Sequence, residues 1–256
     1  MAQAKLLLHC GAREVTPEEL ASVPCPAPEG RWRPVPHGTV LTNATTALTD
    51  AGYRVETMQL GLSRGDARFF GVLTLATPLV SGTALAVGIR SSTDKSLSLG
   101  FAYGARTFVC DNLAFRADKV IAKKHTTFGP DRYREAICRA VGELEQFRGL
   151  EAERIRRMQR TLLADHYAEA MLLRLYQDEG ILSPRSLPVA LTQWREPEFS
   201  GLEERSVWRL FSAVTFALNG RAKTNPGAHL SATLRLGAFL DVPPHGPEAA
   251  LPPTVA

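Results

Sequence analysis

The chain has 256 residues, of which 45% are hydrophobic and 22% are charged. This is the composition of a globular protein with enough apolar side chains for a large core, and it excludes a chain that is disordered throughout. The apolar run at residues 6–8 is too short for a signal peptide, and no later run is long enough for a membrane span. We therefore expect a cytoplasmic protein that binds no membrane.

The four cysteines lie far apart and form no Cys-x-x-Cys pair, so neither a disulfide framework nor a zinc knuckle is indicated. The net charge of +4 is small but unevenly distributed. Residues 90–134 contain nine Lys or Arg and four Asp, a local charge of +5 that leaves −1 for the rest of the chain. Such a segment either binds an anionic partner or forms a solvated basic face, and the sequence leaves both open.

The first predicted elements are two helices. Residues 16–19 read Thr-Pro-Glu-Glu, with an N-cap residue, a proline at the first helical position and a carboxylate at the third. They predict a short helix that ends near Val23. Apolar residues at helical spacing over 40–51 predict a second helix, which Gly52 should end.

Short apolar runs bounded by turn signals follow from residue 53 and predict strands. They cover residues 53–60, 67–75, 82–89, 97–103 and 106–110, with a weaker sixth run over 114–121. The links between these runs are too short to hold a crossover helix. Neighbouring strands should therefore pair antiparallel, as a meander.

After Pro130 the sequence becomes rich in Glu, Arg, Leu and Ala. Residues 131–180 predict either two helices or one bent helix, with breaks at Gly142 and Gly149. A further helix is predicted over residues 201–219. An apolar stripe in the long segment is expected to face the core, and its members are Ile155, Met158, Leu162, Leu163, Tyr167, Met171 and Leu175.

Together these elements predict an α+β fold: an antiparallel meander sheet of five or six strands, with an N-terminal helix and long C-terminal helices packed on it. Residues 1–30 are predicted to form an N-terminal extension that contains the short helix. Residues 31–240 are predicted to form a single α+β domain, and residues 241–256 a Pro-rich disordered tail.

Polar motif residues concentrate between residues 88 and 126, at the ends of apolar runs, where loops present side chains for binding. Arg90 either binds a phosphate or a carboxylate, or pairs with a nearby Asp. The side chains after it are of the kind that stabilise a turn by bonding to nearby backbone. These structural motif residues are Ser91, Ser92 and Asp94.

Two later motifs offer donors and acceptors but no complete catalytic or metal site. Asp111 and Asn112 could ligate a metal, cap a turn or hold a neighbouring loop, but the sequence points to no further ligands. His125 has no companion at the short spacing that zinc sites use. No phosphate-cradling glycine loop and no dinucleotide fingerprint occurs. We therefore expect no catalytic residue, no bound metal and no cofactor.

Eight short motifs, taken together, resemble a known family. They are Pro36-His37, Gly52-Tyr53, Phe69-Phe70-Gly71, the segment 88–96, Gly104-Ala105-Arg106, the segment 108–112, Lys124-His125-Thr126 and the segment 208–214. Over roughly residues 30–220 the chain resembles the prokaryotic phage/plasmid-like family catalogued as domain of unknown function 932. The resemblance implies a gene carried by phages, prophages or plasmids. It implies no activity, because the family has no established one.

The first functional hypothesis is a nucleic-acid binding protein of a mobile element that prefers single strands, with a role in annealing or recombination. An exposed aromatic, Phe101 or Tyr103, would stack on bases, whereas Phe69, Phe70 and Phe108 are expected in the core. The residues predicted to contact nucleic acid are Arg90, Lys95, Arg106, Lys123, Lys124, His125, Arg132 and Arg134.

Two alternatives remain open at the level of sequence. One is a protein-binding factor that inhibits a host enzyme or assembles with itself, which would expose an apolar patch. The other, less favoured, is a metal-dependent hydrolase that uses Asp94, Asp111 and His125. A homo-oligomer is compatible with each of these hypotheses.

Overall fold

The computed structural model describes residues 12–80, 83–107, 120–198, 201–224 and 226–241. Its helices and strands form an α+β fold, as predicted. The strands are β1 Arg13–Val15, β2 Val55–Ser63, β3 Arg68–Val80, β4 Thr83–Ser92, β5 Leu99–Thr107 and β6 Val120–Lys123. The helices are α1 Pro17–Ser22, α2 His37–Asp50, α3 Gly129–Gly142, α4 Leu144–Arg160, α5 Asp165–Gln177, α6 Ser186–Arg195, α7 Val207–Thr224 and α8 Pro226–Phe239.

The six strands form one antiparallel sheet in the order β1-β2-β3-β4-β5-β6, so β2 to β6 follow one another as the predicted meander. The strand β1 was not predicted, because three residues are too few to show an alternating pattern. The runs 97–103 and 106–110 were predicted as two strands, but β5 continues through Gly104. Glycine there lies within a strand and does not mark a turn.

The start of α1 and the end of α2 follow the signals that predicted them, whereas α2 begins at His37, three residues before the apolar pattern, without a side-chain cap. The Thr16 hydroxyl accepts a hydrogen bond from the Glu19 N–H at 3.2 Å, and the Glu19 carboxylate accepts one from the Thr16 N–H at 2.8 Å. This reciprocal pair is a capping box. Gly52 follows α2 with φ of 82°, a left-handed conformation that favours glycine and stops the helix.

The segment 131–180 contains three helices, so the prediction of two helices or one bent helix was wrong. Gly142 ends α3 as predicted, but Gly149 lies inside α4 without breaking it. The third helix arises because the chain leaves helical geometry after Arg160, where Leu163 N–H donates to Arg205 O at 2.8 Å. The predicted stripe is interrupted at this break, and Leu162 is exposed.

The helix α7 runs through Asn219-Gly220, where the sequence predicted an end, and reaches Thr224. A glycine inside a helix costs only about 1 kcal/mol relative to alanine. Contacts with α6 and α8 on either side of α7 outweigh that local preference. Among the helices that the structure describes, none is long and apolar enough to cross a membrane.

The chain divides into two compact units. The sheet unit consists of Met1–Leu79, Thr83–Arg106 and Ala117–Arg148, and in it α1, α2 and α3 contact the sheet. The helical unit consists of Val80–Gly82, Thr107–Arg116 and Gly149–Ala256, and in it α5 to α8 pack in succession on one another. The predicted domain boundaries stay predictions, and the predicted tail lies beyond the described residues.

Candidate functional site

The two faces of the sheet differ in character, and strand register shows which residues share a face. Leu62 pairs with Phe69 across β2 and β3. Leu99 pairs with Lys123 across β5 and β6. The three apolar members of these pairs are almost completely buried. We call the face that carries them the inner face, and the opposite one the outer face.

One row of residues crosses the outer face from β1 to β6. Glu14 pairs with Gly61, Gly61 with Phe70, and Gly100 with Ala122. The Thr93 N–H donates to Ala67 O at 2.8 Å, and counting three residues along each strand from this bond places Phe70 opposite Arg90. We call Glu14, Gly61, Phe70, Arg90, Gly100 and Ala122 the Arg90 row. At about 4.8 Å per strand it spans about 24 Å.

Arg90 and Phe70 are the two large side chains at the centre of this row. Phe70 is 38% exposed, and Arg90 is exposed as well. A Cβ added to Gly100 would lie 2.6 Å from Arg90 Cγ, so the Arg90 side chain lies directly over that glycine. No described residue forms an ion pair or hydrogen bond with the Arg90 guanidinium. Phe70 and Arg90 are therefore free to contact a ligand.

The prediction was wrong for three aromatic residues: two that were expected to be exposed are buried, and one that was expected in the core is exposed. Phe101 and Tyr103, predicted to stack on bases, lie on the inner face and are 1% and 3% exposed. Phe70, predicted in the core, is on the outer face. The sequence did contain the signal, because Phe69 and Phe70 are adjacent in a strand and must point to opposite faces. Phe69 is fully buried, as predicted.

The other cations predicted to contact nucleic acid differ in whether their charge is already paired. Lys124 is exposed and Lys123 partly exposed, and neither has an ion pair among the described residues. Lys95 pairs with Glu29 and lies over the Trp32 ring. Arg134 pairs with Asp131 at 3.6 Å, and Arg132 lies over the exposed Phe128 ring. The side chain of Arg106 lies outside the described part of the chain.

His125 was predicted to contact nucleic acid, and this prediction was wrong because the side chain is 5% exposed. It follows the end of β6, and its carbonyl oxygen accepts a hydrogen bond from the Arg33 N–H at 2.9 Å. Asp111 and Asn112, the other acceptors considered for a metal site, lie outside the described residues.

The turn after β4 is held by Ser92 and Asp94, as the turn interpretation predicts, whereas the Ser91 hydroxyl, predicted in the same role, has no hydrogen-bond partner among the described residues. The Ser92 hydroxyl accepts a hydrogen bond from the Leu97 N–H at 2.8 Å. Asp94 accepts hydrogen bonds from the Ser96 N–H and hydroxyl, and its carboxylate lies 3.6 Å from Arg68 Nε. Burial raises the pKa of Asp94, but the Ser96 hydrogen bonds and Arg68 more than offset it and lower the pKa to about 2.

A group of polar side chains is buried on the inner face near the turn after β4, and the sequence analysis did not identify it. His37 is the first residue of α2 and is 1% exposed; its Nε2 lies 3.1 Å from Asp66 O, and its ring centroid lies 5.6 Å from that of Phe69. Ser91 follows Arg90 in β4 and therefore points to this inner face, where it is fully buried. We call His37, Ser91, His125 and Trp32 the buried polar corner.

Burial disfavours the charged form of both imidazoles in this corner. Burial lowers the pKa of His37, although the Asp66 carbonyl acts in the opposite direction. Burial also lowers the pKa of His125, and the nearby His37 lowers it further. Backbone groups of Arg33 and Leu97 approach the His125 ring, but neither ring nitrogen reaches hydrogen-bonding geometry with a described residue.

The chain matches no family model, no curated protein and no solved structure with which it was compared. The resemblance to the family called domain of unknown function 932 therefore stays a prediction.

Proposed function

We propose that this protein binds single-stranded nucleic acid along the Arg90 row of the outer face. The observation that carries the proposal is the exposed Phe70 ring opposite Arg90, whose guanidinium has no partner among the described residues, with Gly61 and Gly100 on either side of the pair. A role in annealing or recombination on a mobile element belongs to the same proposal and rests on the family resemblance.

The chemistry of this pair suits an unstacked base. Aromatic rings and guanidinium planes both stack on bases, and such stacking tolerates any sequence because every base has a π face. Gly100 has no side chain, so the Arg90 side chain can lie flat across the sheet beside Phe70. A base inside a duplex does not expose its face, so single strands should bind more tightly.

Charge around the row favours a phosphate backbone. Lys124 follows the end of β6, two residues after Ala122, and it is exposed. Arg68 lies on the outer face two residues before Phe70, and Asp94 neutralises it in part. A cation whose charge is already matched by a carboxylate contributes less to phosphate binding. Arg90 and Lys124 should therefore supply most of the electrostatic attraction.

The test is fluorescence anisotropy of labelled single-stranded DNA, single-stranded RNA and duplex DNA at several salt concentrations. We expect Phe70→Ala to weaken single-strand binding by about tenfold, since base stacking on an aromatic contributes about 1–3 kcal/mol. Arg90→Ala should lower the salt slope by about 0.7, the value for one phosphate contact on a single strand. Gly100→Ala should weaken binding while retaining every charge, because its Cβ displaces Arg90.

Two matched control variants test whether the loss of binding is specific to the Arg90 row or follows from removing any exposed aromatic ring or cation. Phe128→Ala removes an aromatic ring that is more exposed than Phe70, and Arg134→Ala removes one positive charge that is already paired with Asp131. Both should bind almost as the unmodified protein does. If the unmodified protein binds no oligonucleotide at low salt, the proposal is wrong, and if the controls weaken binding as much as Phe70→Ala does, the site is misplaced.

A further inference from the structure

Two arginines at one end of the sheet share a single carboxylate. Arg68 is the first residue of β3, and its Nε lies 3.6 Å from the Asp94 carboxylate in the turn after β4. Arg64, in the turn between β2 and β3, brings its Nη1 to 3.9 Å from the same carboxylate. Two positive charges therefore meet one negative charge, and the cluster keeps an excess of one positive charge.

Arg68 lies beside the proposed nucleic-acid site. It is two residues before Phe70 in β3, so both side chains are on the outer face, about 7 Å apart along the strand. Arg68 Nε donates a hydrogen bond to the Ser96 hydroxyl at 2.8 Å, while its two terminal nitrogens have no hydrogen-bond partner among the described residues. A guanidinium held by one nitrogen keeps donors that match a phosphate. Arg68 is therefore suited to bind a phosphate next to a base on Phe70.

The turn after β4 does not require the negative charge of Asp94. The Ser96 N–H donates to Asp94 Oδ1 at 2.9 Å, and the Ser96 hydroxyl donates to the same oxygen. A neutral amide oxygen would accept both bonds, since each requires only an acceptor. With a pKa of about 2, Asp94 is ionised at neutral pH. Its charge acts on the two arginines, and it would repel a phosphate that approached Arg68.

We propose that Asp94 is a specificity-determining residue of the nucleic-acid site: its carboxylate withholds Arg68 from phosphate and so limits the phosphate contacts to Arg90 and Lys124. The inference rests on the proposed function, because it concerns the same site. Arg90 has no partner among the described residues, whereas Arg68, on the neighbouring strand, is already matched by a carboxylate. The site therefore binds a single strand more weakly, and with less dependence on salt, than its number of cations indicates.

The experiment compares Asp94→Asn with the unmodified full chain, by fluorescence anisotropy of a labelled oligothymidylate at several salt concentrations. Asparagine keeps an oxygen that accepts the Ser96 hydrogen bonds and removes only the charge. We expect Asp94→Asn to bind the oligothymidylate about two- to fivefold more tightly, the range that an exposed ion pair contributes. The salt slope should steepen by about 0.7, the value for one further phosphate contact on a single strand.

Asp66→Asn is the matched control, because it removes the same charge from the turn between β2 and β3. Asp66 pairs with Arg13 at 2.8 Å, and Arg13 lies opposite Leu62 in the strand register, which places it on the inner face. This variant should gain much less affinity than Asp94→Asn and keep its salt slope. An equal gain in the two variants would overturn the proposal, since the gain would then come from net charge alone.

A double-mutant cycle tests whether Arg68 is the group that Asp94 withholds. In an Arg68→Ala background, Asp94→Asn should no longer raise the affinity or the salt slope. The proposal is wrong if the gain persists in that background, or if Asp94→Asn alone binds no more tightly than the unmodified protein. In either case Phe70→Ala would still weaken binding, so the proposed function would stand. No binding by the unmodified protein or by Asp94→Asn would overturn both.

Discussion

Two buried polar sites, one in each compact unit, make opposite use of their hydrogen-bonding groups. In the helical unit, Arg209 is 5% exposed, and its guanidinium donates to three carbonyl oxygens. These belong to Trp194 at 2.7 Å, Arg195 at 2.9 Å and Glu203 at 2.9 Å. In the buried polar corner of the sheet unit, five polar atoms have no partner among the described residues.

This difference in hydrogen bonding distinguishes Arg209, which has a structural role, from the buried polar corner, which is a candidate site. Trp194 and Arg195 are the last two residues of α6, whose carbonyl oxygens have no partner within the helix. Arg209 on α7 satisfies them and places a positive charge at the negative end of the helix dipole. Its three hydrogen bonds to backbone carbonyls stabilise the fold. The corner instead leaves its nitrogen and oxygen atoms available.

The largest expected effect on stability comes from removing Arg209, whose guanidinium is hydrogen-bonded to three carbonyl oxygens. Arg209→Leu should lower the free energy of unfolding by about 3 kcal/mol, because the buried Trp194 carbonyl and the partly buried carbonyls of Arg195 and Glu203 lose their donor. Urea denaturation measures this change. Arg205→Leu is a matched control, since that side chain is half exposed and its pair with Asp165 contributes at most about 1 kcal/mol. Equal losses in the two variants would contradict the structural role of Arg209.

A smaller effect on stability is expected for Asp94, a carboxylate at the surface that accepts hydrogen bonds from Ser96. Its pKa is about 2 in the folded protein, against an ordinary value of 3.8, so its stabilising contribution is fully present above pH 3.8 and is lost as the pH falls toward 2. We expect about 1 kcal/mol after screening, since the side chain is one quarter exposed. Urea denaturation of the unmodified protein and of Asp94→Asn between pH 5 and pH 2 should show curves that converge on acidification. A constant difference would rule out this contribution.

The smallest effect is expected in the buried polar corner. His125→Leu should change the free energy of unfolding by less than about 1 kcal/mol or increase it, because the imidazole nitrogens lose no hydrogen bond. Thermal and urea denaturation measure this change. A loss as large as that of Arg209→Leu would show that His125 is part of the structural framework, and the contrast between the two regions would then disappear.

Local signals in the sequence predicted the elements whose ends depend on nearby residues. The capping box at Thr16 and the left-handed Gly52 are determined within a few residues, and both were predicted. The meander also followed from the sequence, because short links leave neighbouring strands no alternative to antiparallel pairing. The break after Arg160 depends on a bond to Arg205, 45 residues along the chain, and no local pattern showed it.

The candidate interface was predicted in part. Arg90 and Lys124 were chosen from the sequence, and the structure leaves both without an ion pair among the described residues. Lys123 was chosen as well, but it pairs with Leu99 and therefore belongs to the inner face. Lys95 and Arg134 were chosen on the same grounds but are paired with Glu29 and Asp131. Charge along the chain does not reveal which cations are already neutralised, since Glu29 is 66 residues away from Lys95.

By itself, the sequence determined the α+β class, the helix caps, the antiparallel meander and the concentration of positive charge between residues 90 and 134, because each depends on residues close together in the chain. Only the tertiary structure decided that Phe70 lies outside opposite Arg90, and that His37 and His125 share one buried corner. These pairings are set by strand register and by the packing of α2 against the sheet. Strand register and helix packing bring together residues that are far apart in the chain, so no local pattern in the sequence connects them.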